Sequence, residues 1–247
     1  MLLMNKVAII TGATRGIGKA ILHRFVEEGA IVIGVFSSSV ALAEEIEQEY
    51  SKRDNPVILK QGSVTDKLFI QDLLASTVAT YGKIDILVNN AGITRDNIIF
   101  NMPEKDWQDV FHTNFRGTYN SIMETLPFML KEGKGSIINV ASVTGVLGRE
   151  AQSNYGATKG AMMGLTRLLS RKYSSSGVKL NCVAPGMIDT EMIKHVPVDK
   201  LHNFLQFTNI KRLGKVDEIA NSVLFLASDL SDYVTDTVLK VDGGFMR

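Results

Sequence analysis

The chain is predicted to fold as one doubly wound α/β domain over residues 1–247, a seven-stranded parallel sheet with helices on both faces. Three observations predict it. Seven short apolar runs rich in β-branched residues recur without alternation, the pattern of strands buried on both faces. Helical patterns lie between most of them, as crossovers joining parallel strands require. No linker, low-complexity tract or short repeat breaks the series.

The first run, residues 6–11, is followed by Gly12-Ala-Thr-Arg-Gly-Ile-Gly18 and then by a helical pattern over 19–28, closed by Gly29. Further strands are expected at 31–36, 57–60, 84–89, 136–141, 178–184 and 237–241. Helices are expected at about 40–53, 66–81, 104–131, 153–175 and 215–228. Between Pro185 and Gly214 no strand is evident, and Met187, Ile188, Met192, Ile193, Val196, Leu201, Phe204, Leu205 and Phe207 stand among few charges. That stretch reads as a mobile lid over about 187–213, giving an apolar wall to a substrate.

Composition narrows the function. The 45% hydrophobic and 7% aromatic content supports a sizeable core and argues against disorder. A net charge of +1, with both signs interspersed, argues against a nucleic-acid surface. The one cysteine, Cys182, sits in an apolar run, so no disulfide forms within the chain, as in a reducing cytoplasm. Met1-Leu-Leu-Met4 is too short for a signal-peptide core, and no apolar run approaches the ~18 residues of a membrane helix. A soluble cytoplasmic protein is expected. His195 and His202 have no Cys, Asp or Glu set at ligand spacing, so no metal is expected.

Ligands of such sheets bind beyond the carboxyl ends of the strands. The glycine loop there opens a helix, whose N–H groups and dipole suit a phosphate. Its spacing, Gly-x3-Gly-x-Gly, differs from the common Gly-x-Gly-x-x-Gly fingerprint. After the second strand come Ser37-Ser38-Ser39, and the first carboxylate is Glu44, so the acid that would hold a ribose 2′-hydroxyl is missing. Arg15 and the serines instead suit a 2′-phosphate, and NADP(H) is the expected cofactor.

Six tyrosines occur, and only Tyr155 has a lysine, Lys159, four residues on. On a helix the two share a face. Such pairs also arise on solvated helix faces, so the spacing is weak by itself. An ammonium ~4 Å from a phenolate, at an effective dielectric of ~20, is worth roughly 4 kcal/mol. The expectation is a phenol pKa roughly two to three units below its usual value, nearer the working range of a general acid. Ser142 ends the fifth apolar run just upstream. Asn114 is a poor helix former within a helical stretch, either incidental or holding a water beneath the site.

Thr11-Gly12-x3-Gly16-x-Gly18, Asn89-Asn90-Ala91-Gly92, Asn114, Ser142, Tyr155-x3-Lys159 and Pro185-Gly186 together resemble the short-chain dehydrogenase/reductase family, in order and over nearly the whole chain. Asn89-Asn-Ala-Gly-Ile-Thr-Arg-Asp-Asn97, Ala151-Gln-Ser-Asn-Tyr155, Phe225-Leu-Ala-Ser-Asp229 and Val241-Asp-Gly-Gly244 resemble its 3-oxoacyl-[acyl-carrier-protein] reductases. The resemblance implies a Rossmann-type fold and reduction of a 3-oxoacyl thioester by NADPH. Tyr155 would be the proton donor, Lys159 its modulator and a ribose ligand, Ser142 a hydrogen-bond donor to the carbonyl, and Asn114 a water holder. Gly12, Thr14, Arg15, Gly16, Ile17 and Gly18 would line the phosphates, Ser37 the 2′ position, and Ser63 and Val64 the adenine. Asn90, Ala91 and Gly92 would sit at the ribose, and Pro185, Gly186, Ile188 and Thr190 at the nicotinamide. Many members have Asp where Ser63 stands, and Ser63 gives a weaker contact.

An acyl carrier protein is acidic, and Lys105, Lys131, Lys134, Arg171 and Lys172 are candidates for the basic rim it would need, although Ser174-Ser-Ser176 supplies no cation. The helix from 153 is apolar on more than one face, at Ala157, Ala161, Met162, Met163, Leu165, Leu168 and Leu169. The resemblance suggests a second subunit there and a homotetramer. Acetoacetyl-CoA or another ketone stays open as substrate, as do alcohol oxidation and a non-catalytic cofactor-binding regulator.

Overall fold

In the computed structural model, residues 1–193, 196 and 198–246 are described, so His195 lies outside the described residues. Seven parallel strands form one sheet: β1 (Val7–Thr11), β2 (Ile31–Phe36), β3 (Val57–Gln61), β4 (Ile86–Asn89), β5 (Gly135–Val140), β6 (Val178–Pro185) and β7 (Val238–Val241). Their order is β3-β2-β1-β4-β5-β6-β7, reversing between β1 and β4. All residues of β1, β4 and β5 are buried, which explains their continuous apolar character.

Helices α1 (Gly16–Glu27), α2 (Val40–Tyr50), α3 (Lys67–Tyr81), α4 (Glu104–Phe111), α5 (Gly117–Glu132), α6 (Val143–Leu147), α7 (Ser153–Tyr173), α8 (Val198–Gln206) and α9 (Val216–Ala227) complete the described framework. Two apolar cores result. One holds Phe25, Ile46 and Leu226 with Ile10 and Val88; the other holds Leu74, Leu126 and Leu169 with Ile9 and Leu87. Consecutive strand residues thus serve opposite faces of the sheet. Cys182 is buried beside Met162.

Two expectations need correction. The helix expected over 104–131 is two helices joined by a π-helical turn, His112–Arg116, which contains Asn114. Helical periodicity reads through such a turn because one inserted residue shifts the apolar stripe by only ~100°. The short α6, read as loop, is a single capped turn after Ser142, too brief to show a period. The segment read as a lid, where no strand was expected, holds a 3₁₀ turn, Glu191–Ile193, and α8. It is tied to the C-terminal tail: Phe204 stacks on Phe245 at 4.3 Å, and the Met246 N–H donates to the Phe207 carbonyl.

Candidate active site

A cleft of about 1540 Å³ opens at the carboxyl ends of the strands, across the β1–β4 reversal. Its floor starts at the glycine loop. Gly12 has φ +67°, a left-handed conformation that glycine adopts freely, and a Cβ there would come within 3.0 Å of Asn90 Nδ2. Asn90 Nδ2 donates to the carbonyls of Thr11 and Gly12, both at 3.0 Å. The Thr11 hydroxyl accepts the Asn90 and Ala91 N–H groups, both at 3.0 Å. The two strand ends are therefore sewn together where they part. Gly18 does not line the cleft; it lies behind the loop, where a Cβ would meet the Gly12 carbonyl oxygen at 2.0 Å. No side chain caps the first turn of α1, which opens into the cleft at Gly16 and Ile17. Such uncapped N–H groups and a helix dipole form an anion site.

Around that anion site stand Thr14, Arg15, Ser37, Ser38 and Ser39, with Ser63 and Val64 beyond the end of β3. Arg15 is exposed and, among the described residues, its side chain has no hydrogen-bond or ion-pair partner. Ser63 Oγ is engaged in its own turn, 2.7 Å from the Thr65 hydroxyl. The same cleft continues past Asn90, Ala91 and Gly92 to Ser142, Tyr155 and Lys159 and is walled by Pro185, Gly186, Ile188 and Thr190. Of the residues expected at the site, all line it except Gly18 and Asn114.

Ser142 is the N-cap of α6, its Oγ accepting the Thr144 N–H at 3.1 Å. Gly145 lets that helix lie directly on α7, since a Cβ would stand 2.8 Å from both Lys159 Cβ and Gly160 N. This close approach sets the Ser142 hydroxyl against the Tyr155 phenol. Burial pushes the Tyr155 pKa up to about 12, the Ser142 hydrogen bond opposes the rise, and the Asp96 charge adds to it. The expected depression by Lys159 is absent. Lys159 Nζ donates to the Val140 carbonyl at 2.7 Å and stands 5.6 Å from the tyrosine ring centroid, over the ring. Burial lowers the Lys159 pKa to about 8, and the Cys182 charge opposes that shift.

Asn114 is fully buried behind the cleft, its Oδ1 accepting the Ile93 N–H at 2.8 Å and its Nδ2 donating to the Ile93 carbonyl at 3.0 Å. It thus braces the chain after β4 from the π turn. Below, Asn89 Nδ2 donates to Asn139 Oδ1, and Asn139 Nδ2 donates to the Thr166 hydroxyl, a buried polar ladder joining β4 and β5 to α7.

The basic rim is not where the sequence reading put it. Lys105, Lys131, Lys134, Arg171 and Lys172 do not line the cleft. Lys105 pairs with Asp109, Lys134 with Asp229 near the opposite end of the strands, and Arg171 with Asp236. Among the described residues, the cations that line it are Arg15, Arg95, Arg149 and the buried Lys159. Arg95 lay within the quoted motif and Arg149 just before the tyrosine segment, so position relative to the strand ends was the available signal. Asn203, Phe204, Phe207 and Phe245 also line it, an apolar wall contributed by α8 and the tail.

A doubly wound sheet with a phosphate-fitted loop, and a serine–tyrosine pair further along the same cleft, defines a nucleotide-dependent oxidoreductase. Residues 6–200 match the family model described as short chain dehydrogenase, and the chain belongs to that family, acting on CH–OH groups. It is 41% identical over 249 residues to the 3-oxoacyl-[acyl-carrier-protein] reductase FabG of Thermotoga maritima, covering 100% of both chains. It is 39% identical over 241 residues to the enzyme of that name from Staphylococcus epidermidis, covering 98% of this chain and 99% of that one. The Chlamydia trachomatis protein of the same name is 39% identical over 245 residues, 98% of each chain. Among the described residues no helix is long and apolar enough to cross a membrane, and no group of three or more His, Cys, Asp or Glu could hold a metal.

Proposed function

We propose that the protein reduces a 3-oxoacyl thioester on acyl carrier protein to the 3-hydroxyacyl thioester, with NADPH. The observation that carries this reading is the Ser142–Tyr155 hydroxyl pair in a chain similar end to end to reductases of that name. The residues present fit the cofactor: an uncapped helix N-terminus, a glycine loop pressed to the β4 end, and an unpaired arginine beyond it. Gly12, Thr14, Gly16 and Ile17 would hold the phosphates, with Gly18 keeping α1 close. Arg15 and Ser37 would hold a 2′-phosphate, and Ser63 and Val64 the adenine. Asn90, Ala91, Gly92 and Lys159 would hold the ribose; Pro185, Gly186, Ile188 and Thr190 would hold the nicotinamide. The bound cofactor supplies the hydride.

The chain supplies the proton and the oxygen site. The Ser142 oxygen already accepts the Thr144 N–H, leaving its O–H to donate to the substrate oxygen. Tyr155 gives its phenolic proton to that oxygen as negative charge develops there. A phenol held near 12 keeps its proton at neutral pH, the form a reduction needs. Asn114 braces Gly92 and Ile93 at the edge of this site and would hold the water that resupplies the proton.

The apolar wall from Phe204, Phe207 and Phe245 suits an acyl chain, with 187–213 acting as the lid of a one-domain enzyme. Leu168, exposed on α7, belongs to a face that a second subunit would cover in a homotetramer. The setting is the cytoplasm, where acidic carrier protein would meet Arg95 and Arg149. A second reading is a CoA thioester, whose phosphates would meet the same two arginines. NADPH oxidation with a 3-oxoacyl group on carrier protein and on CoA, with NADH as control, separates the two. Carrier preference supports the first reading, and CoA preference supports the second. Tyr155→Phe should retain NADPH binding and lose turnover; retained turnover removes Tyr155 as the acid.

A further inference from the structure

At the β3 end of the cleft stands Ser63, where many members of the family carry aspartate. A carboxylate there only accepts, which suits the 6-amino group of adenine. Ser63 Oγ instead accepts the Thr65 N–H at 3.2 Å and lies 2.7 Å from the Thr65 hydroxyl, and either hydroxyl can donate to the other. When Thr65 donates, the Ser63 O–H is left to donate outward. When Ser63 donates, its remaining lone pair is left to accept. The pair therefore switches between donor and acceptor at Ser63 by moving protons alone.

The turn that carries the pair is held on all sides. The Gly62 N–H donates to the Phe36 carbonyl at 2.8 Å, and the Asp66 N–H donates to the Ser63 carbonyl at 3.0 Å. A Cβ on Gly62 would run into the Phe69 ring of α3, and one on Gly117 of α5 would run into Val64. No neighbouring carboxylate replaces the missing aspartate. Asp66 does not line the cleft, and its Oδ1 accepts the Phe69 N–H at 3.1 Å as the N-cap of α3. Among the described residues, the acids that line the cleft are Asp96, Glu150 and Glu191, which follow β4, precede α7 and follow β6.

We propose that the Ser63–Thr65 hydroxyl pair makes the purine subsite indifferent to the 6-substituent, so that the chain takes 2′-phosphorylated nicotinamide dinucleotides bearing either a 6-amino or a 6-oxo purine. The proposal rests on the NADPH reading of the cleft. A 6-amino group donates and meets the accepting arrangement; a 6-oxo group accepts and meets the donating one. An aspartate would repel the oxo group.

NADPH and its 6-oxopurine (hypoxanthine) analogue are titrated calorimetrically into wild type, Ser63→Asp and Ser63→Ala, with thermal melts of all three. Ser63→Asp keeps one oxygen for the Thr65 N–H and leaves an acceptor facing outward. Wild type is expected to bind the two nucleotides within about threefold of each other. Ser63→Asp is expected to favour NADPH by about tenfold, and Ser63→Ala to weaken both by the same factor. A wild-type preference above about threefold, a Ser63→Asp preference no larger than that of wild type, or a Ser63→Ala loss confined to one nucleotide would overturn the proposal. Failure of wild type to bind either nucleotide overturns the NADPH reading beneath it instead, so the two failures are distinguishable.

Discussion

Replacing Gly18 by alanine tests whether the glycine loop is held by close packing of β1, α1 and β4. A methyl group at this position would stand 2.0 Å from the Gly12 carbonyl oxygen and 2.5 Å from Asn90 Nδ2. Ordinary contact is ~3.5 Å, so α1 or the loop must move by roughly 1 Å or more. Overpacking of this kind costs about 1–3 kcal/mol, and a broken Asn90–Gly12 hydrogen bond adds about 1 kcal/mol. Better helix propensity returns up to about 1 kcal/mol, leaving a net loss of ~1–3 kcal/mol. For a chain of this size that lowers the melting temperature by ~3–10 °C. NADPH affinity should fall with it, because the displaced atoms carry the first turn of α1. Gly164→Ala is the control. It lies in α7, away from the glycine loop, one turn from Leu168, and should leave the NADPH titration unchanged. A Gly18→Ala protein that melts with wild type and titrates NADPH unchanged refutes the packing argument.

Arg15→Ala should raise the KM for NADPH about tenfold and leave that for NADH nearly unchanged, as expected for loss of one charged contact at an exposed site; equal effects on both cofactors would place Arg15 elsewhere. Lys159→Met should change the pH dependence of stability. The folded pKa of Lys159, about 8, lies below its ordinary 10.5, so between these values the unfolded chain holds a proton the native one lacks. Native stability therefore rises with pH through this window, relative to the methionine variant, by roughly 1.4 kcal/mol per pH unit at most. Cys182, raised from 9.0 to about 11, and Tyr155, raised to about 12, act in the opposite sense at higher pH. The comparison thus belongs between about pH 7 and 9, and a flat difference in melting temperature there would contradict a lowered lysine.

Much of the framework was legible because its strands are uniform. Ile9, Ile10, Leu87, Val88, Ile137 and Ile138 are buried on alternating faces, so apolar residues run on without the polar gaps that would confuse strand with helix. The glycine loop was legible as a phosphate site by its place between strand and helix. The individual glycines were not: Gly18 serves packing, and only coordinates distinguish a residue that faces a ligand from one that lets its neighbour do so. The rim was illegible for a related reason. Lys134 and Arg149 look alike in a sequence, yet one lies near the start of β5 and the other beyond its end, at opposite ends of the strands.

The tyrosine–lysine pair shows where spacing stops informing. Four residues on a helix put two side chains on one face, and that much holds in α7. What the lysine does to the phenol depends on where its ammonium ends, and five single bonds separate that from the backbone. Here the buried Val140 carbonyl, at the end of β5, captures Nζ at 2.7 Å, leaving it over the ring, 5.6 Å from the centroid. With the attraction redirected, desolvation governs both groups, raising the acid and lowering the base. Both groups are neutral together between about pH 8 and 12, the state that burial favours for each. Tyr155 then depends on hydrogen bonds, more than on a fixed ammonium, to give up its proton. Ser142 is the partner that lowers its pKa, and the Thr144 N–H, donating to Ser142 Oγ, holds that hydroxyl at the start of α6.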